Sequence, residues 1–184
     1  MNEKDQLIAL IRERSFQEAE TPAFTLASGK KSRFYFNLKE VTCSSRGQYL
    51  VGRLVYDAIQ QLGEAPDGIG GLTLGADPIS FAAAYTFHLH DKAIEAFVIR
   101  KEPKGHGTAS QIEGHVRPGD TVIITEDVIT TGGSTLKAID AAQAYGLSVS
   151  GVIALLDRCE ENGRQHIEAR RMPVYPLLTI DDFR

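Results

Sequence analysis

The sequence predicts an α/β fold: a parallel β-sheet flanked by helices, with a small cap, or hood, built from the N- and C-terminal segments. Three observations lead there. Between residues 45 and 157, apolar runs alternate with helical patterns. Runs such as Val122-Ile123-Ile124 and Val152-Ile153-Ala154-Leu155-Leu156 are apolar at consecutive positions, as strands covered on both faces are. The first 44 residues and the last 27 do not follow the alternation, which assigns them to the cap. At 184 residues the chain suits one domain over residues 1–184 with a core of its own.

The elements follow in order. Leu7, Ile8, Leu10 and Ile11 make a short amphipathic helix over Gln6–Arg14. Phe24–Leu26 and Phe34–Phe36 read as short strands joined through Ser28-Gly29-Lys30-Lys31. Leu50, Val51, Leu54, Val55, Ala58, Ile59 and Leu62 form one helical stripe, with Ser45 and Gln48 as a capping box and Gly63 as the stop. Gly68–Leu72 reads as a strand entering a glycine-rich turn. Asp77-Pro78 then opens an apolar helix, with Asp77 as its cap. Ala93–Ile99 is a strand, and Arg100–Gly114 reads as a loop. Thr121–Thr125 is a strand, Ser134–Tyr145 a helix stopped by Gly146, and Val149–Leu156 the last core strand.

Composition excludes several classes. Twenty basic against 24 acidic residues give a net charge of −4, which argues against a nucleic-acid binder. The polar N-terminus is no signal peptide, and no apolar run approaches a membrane span. Cys43 and Cys159 are too few for a disulfide framework, so the cytoplasm is the expected compartment. Neither is placed as a nucleophile. His88, His90, His115 and His166 form no spacing with acids or cysteines that marks a metal site.

The chemistry is concentrated in Val122-Ile123-Ile124-Thr125-Glu126-Asp127-Val128-Ile129-Thr130-Thr131-Gly132-Gly133-Ser134-Thr135. A buried strand ends in two adjacent carboxylates, and a loop of hydroxyls and glycines then opens a helix. Backbone N–H groups, hydroxyls and the helix N-terminus together make a cradle for one phosphate. The stretch has neither the lysine of a P-loop nor the spacing of a dinucleotide fingerprint. Glu126 and Asp127 stand about one sugar's width away, where acids accept hydrogen bonds from ribose hydroxyls and stabilise positive charge on the ring. Separately, Arg100, Lys101, Lys104 and His106 fall within a glycine-flanked segment. This is either a solvated charged loop or a cluster that neutralises a diphosphate leaving group.

Apolar residues, two acids and then Val-Ile-Thr-Thr-Gly-Gly-Ser resemble the phosphoribosyl-pyrophosphate (PRPP) motif of the type I phosphoribosyltransferases. The resemblance implies that family's fold. It also implies that Glu126 and Asp127 hold the ribose hydroxyls while Val128, Ile129, Thr130, Thr131, Gly132, Gly133 and Ser134 hold the 5′-phosphate. Three further segments resemble the orotate phosphoribosyltransferases in particular. Arg100-Lys101-Glu102-Pro103-Lys104-Gly105-His106-Gly107 is similar to their mobile catalytic loop, which reaches into a neighbouring subunit. That implies a homodimer, with Arg100, Lys101, Lys104 and His106 on PRPP. His106 either donates a hydrogen bond to the diphosphate or protonates it. Phe24–Phe36 is similar to the segment whose backbone faces orotate, which maps to Tyr35 and Phe36. Arg158, after Leu155-Leu156-Asp157, matches an arginine that contacts orotate, and Thr130 a second contact. Gly70–Ile79 resembles the family's pyrophosphate loop, with Leu74-Gly75 where some members have Tyr-Lys. Ala27 stands where some members carry a lysine, so that PRPP contact is either missing or comes from Lys30 or Lys31.

The implied reaction joins orotate to the 5-phosphoribosyl group of PRPP, giving orotidine 5′-monophosphate and pyrophosphate in de novo pyrimidine biosynthesis. Lys101, Asp127, Glu126 and His106 are the implied catalytic residues. Mg²⁺ is the implied cofactor, held mainly through substrate oxygens rather than by protein ligands. Two other readings are a phosphoribosyltransferase for a purine and a non-enzymatic PRPP sensor. Arg158 and the Tyr35-Phe36 strand speak against the first, and the cationic loop and the lack of a basic helix against the second.

Overall fold

The structure is a computed structural model that describes residues 2–26, 29–63, 65–102 and 110–184. Its elements run α1 (Glu3–Arg14), β1 (Phe16–Glu18), β2 (Phe24–Thr25), β3 (Lys31–Ser32), β4 (Phe34–Phe36), α2 (Lys39–Thr42), α3 (Ser45–Leu62), β5 (Gly68–Leu72), α4 (Asp77–Leu89), β6 (Glu95–Ile99), β7 (Ile112–Gly114), β8 (Thr121–Ile129), α5 (Gly133–Tyr145), β9 (Ser148–Asp157), α6 (Gly163–Glu168) and β10 (Val174–Thr179), ending in a 3₁₀ turn, Ile180–Phe183.

Six strands form the central sheet in the order β10-β9-β8-β5-β6-β7. All neighbouring pairs are parallel except β6 with β7. The consecutive apolar residues divide between the two faces. Ile123, Ile153 and Leu155 join α1, α3 and α4 in one core, while Val122, Ile124, Val152 and Ala154 join α5 in another. The sheet and its flanking helices are therefore as the sequence predicts.

Several details differ. Helix α3 is capped by Ser44, whose side chain accepts from the Gly47 N–H at 3.1 Å. Ser45 is already helical, and Gln48 donates instead to Thr42 and Pro78 carbonyls. Asp77 lies in the first turn of α4, where it accepts from the Thr73 hydroxyl at 2.6 Å, and Ala76 takes the cap position. The strands Phe24–Thr25 and Phe34–Phe36 do not pair with each other. β2 pairs with β3, and β4 pairs with β1. The Phe16 ring decides this, because it packs on Phe34, Phe36 and Phe183 with centroids 5.0–6.0 Å apart.

Residues 112–114, expected in a loop, form β7, because Ile112 is buried beside Ile99. β8 continues through Glu126 and Asp127 to Ile129, since β9 pairs with it up to Ile129↔Asp157. The C-terminal segment does more than build the cap. Its 3₁₀ turn packs there, through Phe183 on Phe16 and Lys4 on Asp182. β10, however, is the edge strand of the central sheet, a position that tolerates Pro176.

Candidate active site

Strand order places the site. The chain passes from β5 outward to β6 and later returns to the other side of β5 with β8. Connections therefore diverge at the β5/β8 boundary, where open α/β sheets form a crevice beyond their strand ends. β5 pairs with β8 only from Gly68↔Val122 to Gly70↔Ile124, while β8 runs on beside β9. Glu126 and Asp127 thus line the crevice from a strand anchored on one side. A cavity of about 220 Å³ lies there, bounded by Lys39, Leu72, Thr73, Leu74, Gly75, Lys101, Glu126, Asp127 and Ser134.

The two carboxylates differ. Glu126 is buried, 7% exposed, and accepts from the Thr135 hydroxyl at 3.0 Å. Burial, and then the adjacent Asp127 charge, push its carboxyl up to about 8. The neutral form of Glu126 is thereby favoured relative to that of an ordinary carboxyl. Asp127 accepts from the Val128 N–H at 2.9 Å and forms an ion pair with Lys39 Nζ at 3.3 Å. It rests against Gly75, where an added Cβ would stand 2.6 Å from Oδ1. A side chain at 75 would force this carboxylate to move.

The loop after β8 turns through Gly132 at φ +79°, a left-handed conformation that glycine adopts without strain. A Cβ there would lie 2.6 Å from the Gly163 carbonyl, so α6 packs directly on the loop. The Gly133 N–H meets Thr131 Oγ1 at 3.3 Å, and Gly133, Ser134 and Thr131 are exposed. His166 Nδ1 lies 3.1 Å from the Thr131 carbonyl, which can only accept, so that nitrogen carries the proton. Val128 and Thr130 are half-buried and Ile129 is buried, so the first part of the loop is anchored in the sheet.

Arg158 is 3% exposed. Its Nη2 donates to Ser32 Oγ at 2.9 Å and to the Phe34 carbonyl at 3.2 Å, and its Nε donates to Glu160 at 3.1 Å. The guanidinium lies over the Phe36 ring, and the Arg158 N–H donates to the Ile129 carbonyl at 3.1 Å. Arg158 thus fastens the cap to the end of β8. Phe36 is buried in the core, whereas Tyr35 is 41% exposed and stacks on Phe24.

Arg100 and Lys101 follow β6. Arg100 sits 3.8 Å from Glu113, while Lys101 lines the acid-bearing cavity. Lys104, His106 and Ala27 lie outside the described residues. Lys30 pairs with Glu161 at 2.7 Å and Lys31 reaches the Ala23 carbonyl at 3.5 Å; neither borders the cavity. Lys39, Glu160 and His166 are not marked as site residues by the sequence. The available signal was indirect. With Ala at 27 and Leu-Gly at 74–75, a site for polyanions lacks cations that must come from elsewhere. Among the described residues, no group of three His, Cys, Asp or Glu is arranged to hold a metal ion, and no helix is long and apolar enough to cross a membrane.

No family model matches the chain. It is 47% identical over 182 residues to an orotate phosphoribosyltransferase of Aquifex aeolicus, covering 99% of this chain and 98% of that protein. The crystal structure of Mycobacterium tuberculosis orotate phosphoribosyltransferase with Fe(III) dicitrate superposes with a TM-score of 0.83 at 34% identity, covering 98% of each chain. The structure of that enzyme with PRPP gives 0.77 at 30% identity, covering 99% of this chain and 92% of the other.

Proposed function

The chain belongs to the orotate phosphoribosyltransferases, and from that premise we propose which of its residues carry the reaction. It transfers the 5-phosphoribosyl group of PRPP to orotate, giving orotidine 5′-monophosphate and pyrophosphate, a step of pyrimidine biosynthesis. The observation that carries the residue assignment is the pair Glu126 and Asp127, set at the β5/β8 crevice directly before a hydroxyl-rich turn into α5.

In the proposed complex the 5′-phosphate lies on residues 128–134, where N–H groups and hydroxyls converge at the start of α5. The ribose hydroxyls donate to Asp127 and Glu126. As the bond from C1′ to the diphosphate oxygen breaks, positive charge grows on the ribose and negative charge on the diphosphate; the orotate ring nitrogen then forms the new bond to C1′ and gives up its proton, which passes to the departing diphosphate. Asp127 stabilises the ribose charge. Glu126, whose carboxyl is held up by burial and by the Asp127 charge, accepts from a ribose hydroxyl beside it. Arg100, Lys101, Lys104 and His106 take the diphosphate, so that catalysis is mainly electrostatic preorganisation. The orotate carboxylate pairs with Arg158, with Thr130 and the backbone of Tyr35 and Phe36 on the ring.

Mg²⁺, when bound, would supply positive charge that offsets the diphosphate. The oxygen donors around the crevice, Asp127, Thr73 and Ser134, suit a hard cation, and the donor set favours an ion held mainly by substrate oxygens and water. We read residues 1–184 as one domain and the cytoplasm as its compartment. A homodimer that shares the 100–106 segment is supported by α4. Phe81, Tyr85 and Leu89 project along one face at helical spacing and are 50%, 66% and 62% exposed, with Leu74 and Tyr49 also exposed. Such a stripe next to the crevice fits a second copy of the chain.

Pyrophosphate release from PRPP, measured with orotate, adenine, hypoxanthine and no base, tests the assignment. Release with orotate alone is expected. Release with a purine, or with none of them, would count against it.

A further inference from the structure

We propose that Lys39 is a substrate-binding residue whose ammonium takes the diphosphate of PRPP. This rests on the assignment of the β5/β8 crevice to PRPP given above.

Lys39 opens α2, a helix of four residues. Its neighbours Leu38 and Val41 are buried at 1% and 0% exposure, which fixes the helix against the core. The Lys39 side chain therefore leaves on the side of the crevice and meets Asp127, 88 residues away, at 3.3 Å. Because the Lys39 end is half exposed, this ion pair adds little to stability. Its consequence is electrostatic: among the described lining residues of the acid-bearing cavity, the cations are Lys39 and Lys101.

Three observations make Lys39 the diphosphate cation on the cap side. First, position 27 is alanine and positions 74–75 are Leu-Gly, so neither supplies a lysine. Second, Lys30 is held by Glu161 and Lys31 by the Ala23 carbonyl, both away from the cavity. Third, Gly75 contributes no side chain, and Asp127 rests against it. The carboxylate is thereby kept on the wall that faces the 73–75 turn, with Lys39 on its open side. An ammonium has three donors, so it can keep Asp127 and still bind a phosphate oxygen. Lys39 then spans the two parts of PRPP that separate in the reaction, the ribose through Asp127 and the diphosphate directly.

Inorganic pyrophosphate with Mg²⁺ is the discriminating probe, because it has no ribose for Asp127 to hold. It is titrated calorimetrically, alongside PRPP, into the wild-type protein, Lys39→Ala, Lys39→Arg and Lys31→Ala. Loss of a charge-assisted hydrogen bond predicts that Lys39→Ala weakens pyrophosphate about tenfold or more. PRPP is expected to weaken by at least as much, with the KM for orotate and the Tm unchanged. Lys39→Arg should restore most of the affinity, and Lys31→Ala should match the wild type. Wild-type pyrophosphate affinity in Lys39→Ala would overturn the proposal, as would an equal loss in Lys31→Ala. In either case the function stands if the wild-type protein releases pyrophosphate with orotate. A wild-type protein that binds neither ligand and shows no release would overturn the crevice assignment and this proposal with it.

Discussion

Glu126, Asp127 and the turn to Ser134 occupy one strand, one loop and one helix start, whereas Lys39 and Lys101, which line the same cavity, and Arg158, which packs beside the end of β8, come from three separate parts of the chain. The acid half is set by local geometry. β9 holds the strand, Gly132 makes the turn, and α6 backs it through Gly163 and His166. The cation half depends on packing between distant segments, and much of it is ion-paired while the site is free: Lys39 with Asp127, Arg158 with Glu160 and Arg100 near Glu113. The difference suggests a division of labour. On the proposed assignment the acid half would meet ribose and 5′-phosphate on a locally built frame, Arg100 and Arg158 would exchange carboxylate partners for substrate, and Lys39 would keep Asp127 while adding a phosphate oxygen.

The largest effects should come from disabling either half. Asp127→Asn and Lys101→Ala are each expected to lower kcat by about 10²–10³, the range for losing a preorganised electrostatic partner. Both folds should survive, as an unchanged Tm would show. If the halves meet across a dimer, mixing these two variants should recover part of the activity; verified heterodimers with none would mean that each subunit works alone.

Arg158→Ala comes next. The side chain is buried against Glu160, Ser32 and Phe34, so its loss is expected to cost about 3–5 kcal/mol of stability as well as orotate affinity. Arg158→Lys should keep part of the Tm but not the KM for orotate, because an ammonium lacks the paired donor edge. A normal orotate KM in Arg158→Lys would remove Arg158 from the base site.

A smaller effect separates two adjacent glycines of the acid half. Gly132→Ala meets both a left-handed φ and the Gly163 carbonyl, and should destabilise by about 1–2 kcal/mol and raise the KM for PRPP. At Gly133 the first neighbour of an added Cβ is Thr131 Oγ1 at 3.5 Å, so Gly133→Ala should leave the Tm near wild type. Equal Tm values for the two would show that α6 does not fix the loop.

The last effect is a pH slope. The Glu126 carboxyl is raised from 4.5 to about 8, so between those values the folded chain holds a proton that the unfolded chain has lost. Stability then falls as pH rises through that window. Glu126→Gln removes this contribution and keeps an acceptor for Thr135. Its Tm advantage over wild type should grow from pH 5 to about pH 8, as read by calorimetry, in line with the linkage relation. A constant difference would mean that Glu126 is ionised throughout.

The same contrast explains what was legible in the sequence. The acid half is one uninterrupted stretch, so strand, carboxylates, glycines and helix start could be read together. Arg158 stood out because it ends an apolar strand. Lys39 did not, because nothing in Asn37-Leu38-Lys39-Glu40 indicates that α2 aims it at a residue 88 positions away. The cap pairing was misread for a similar reason: the Phe16 ring meets Phe183 from the opposite end of the chain. β10 was hidden by Pro176, which argues against a central strand but is compatible with an edge.

The division between the halves is tested most directly by titrating PRPP and pyrophosphate, each with Mg²⁺, into Asp127→Asn and Lys101→Ala. Asp127→Asn should bind PRPP weakly and pyrophosphate as well as the wild type does, since only PRPP carries the ribose. Lys101→Ala should lose affinity for both. Pyrophosphate binding that falls with Asp127→Asn as far as PRPP binding does, or that is untouched in Lys101→Ala, would contradict the assignment of ribose to the acids and diphosphate to the cations.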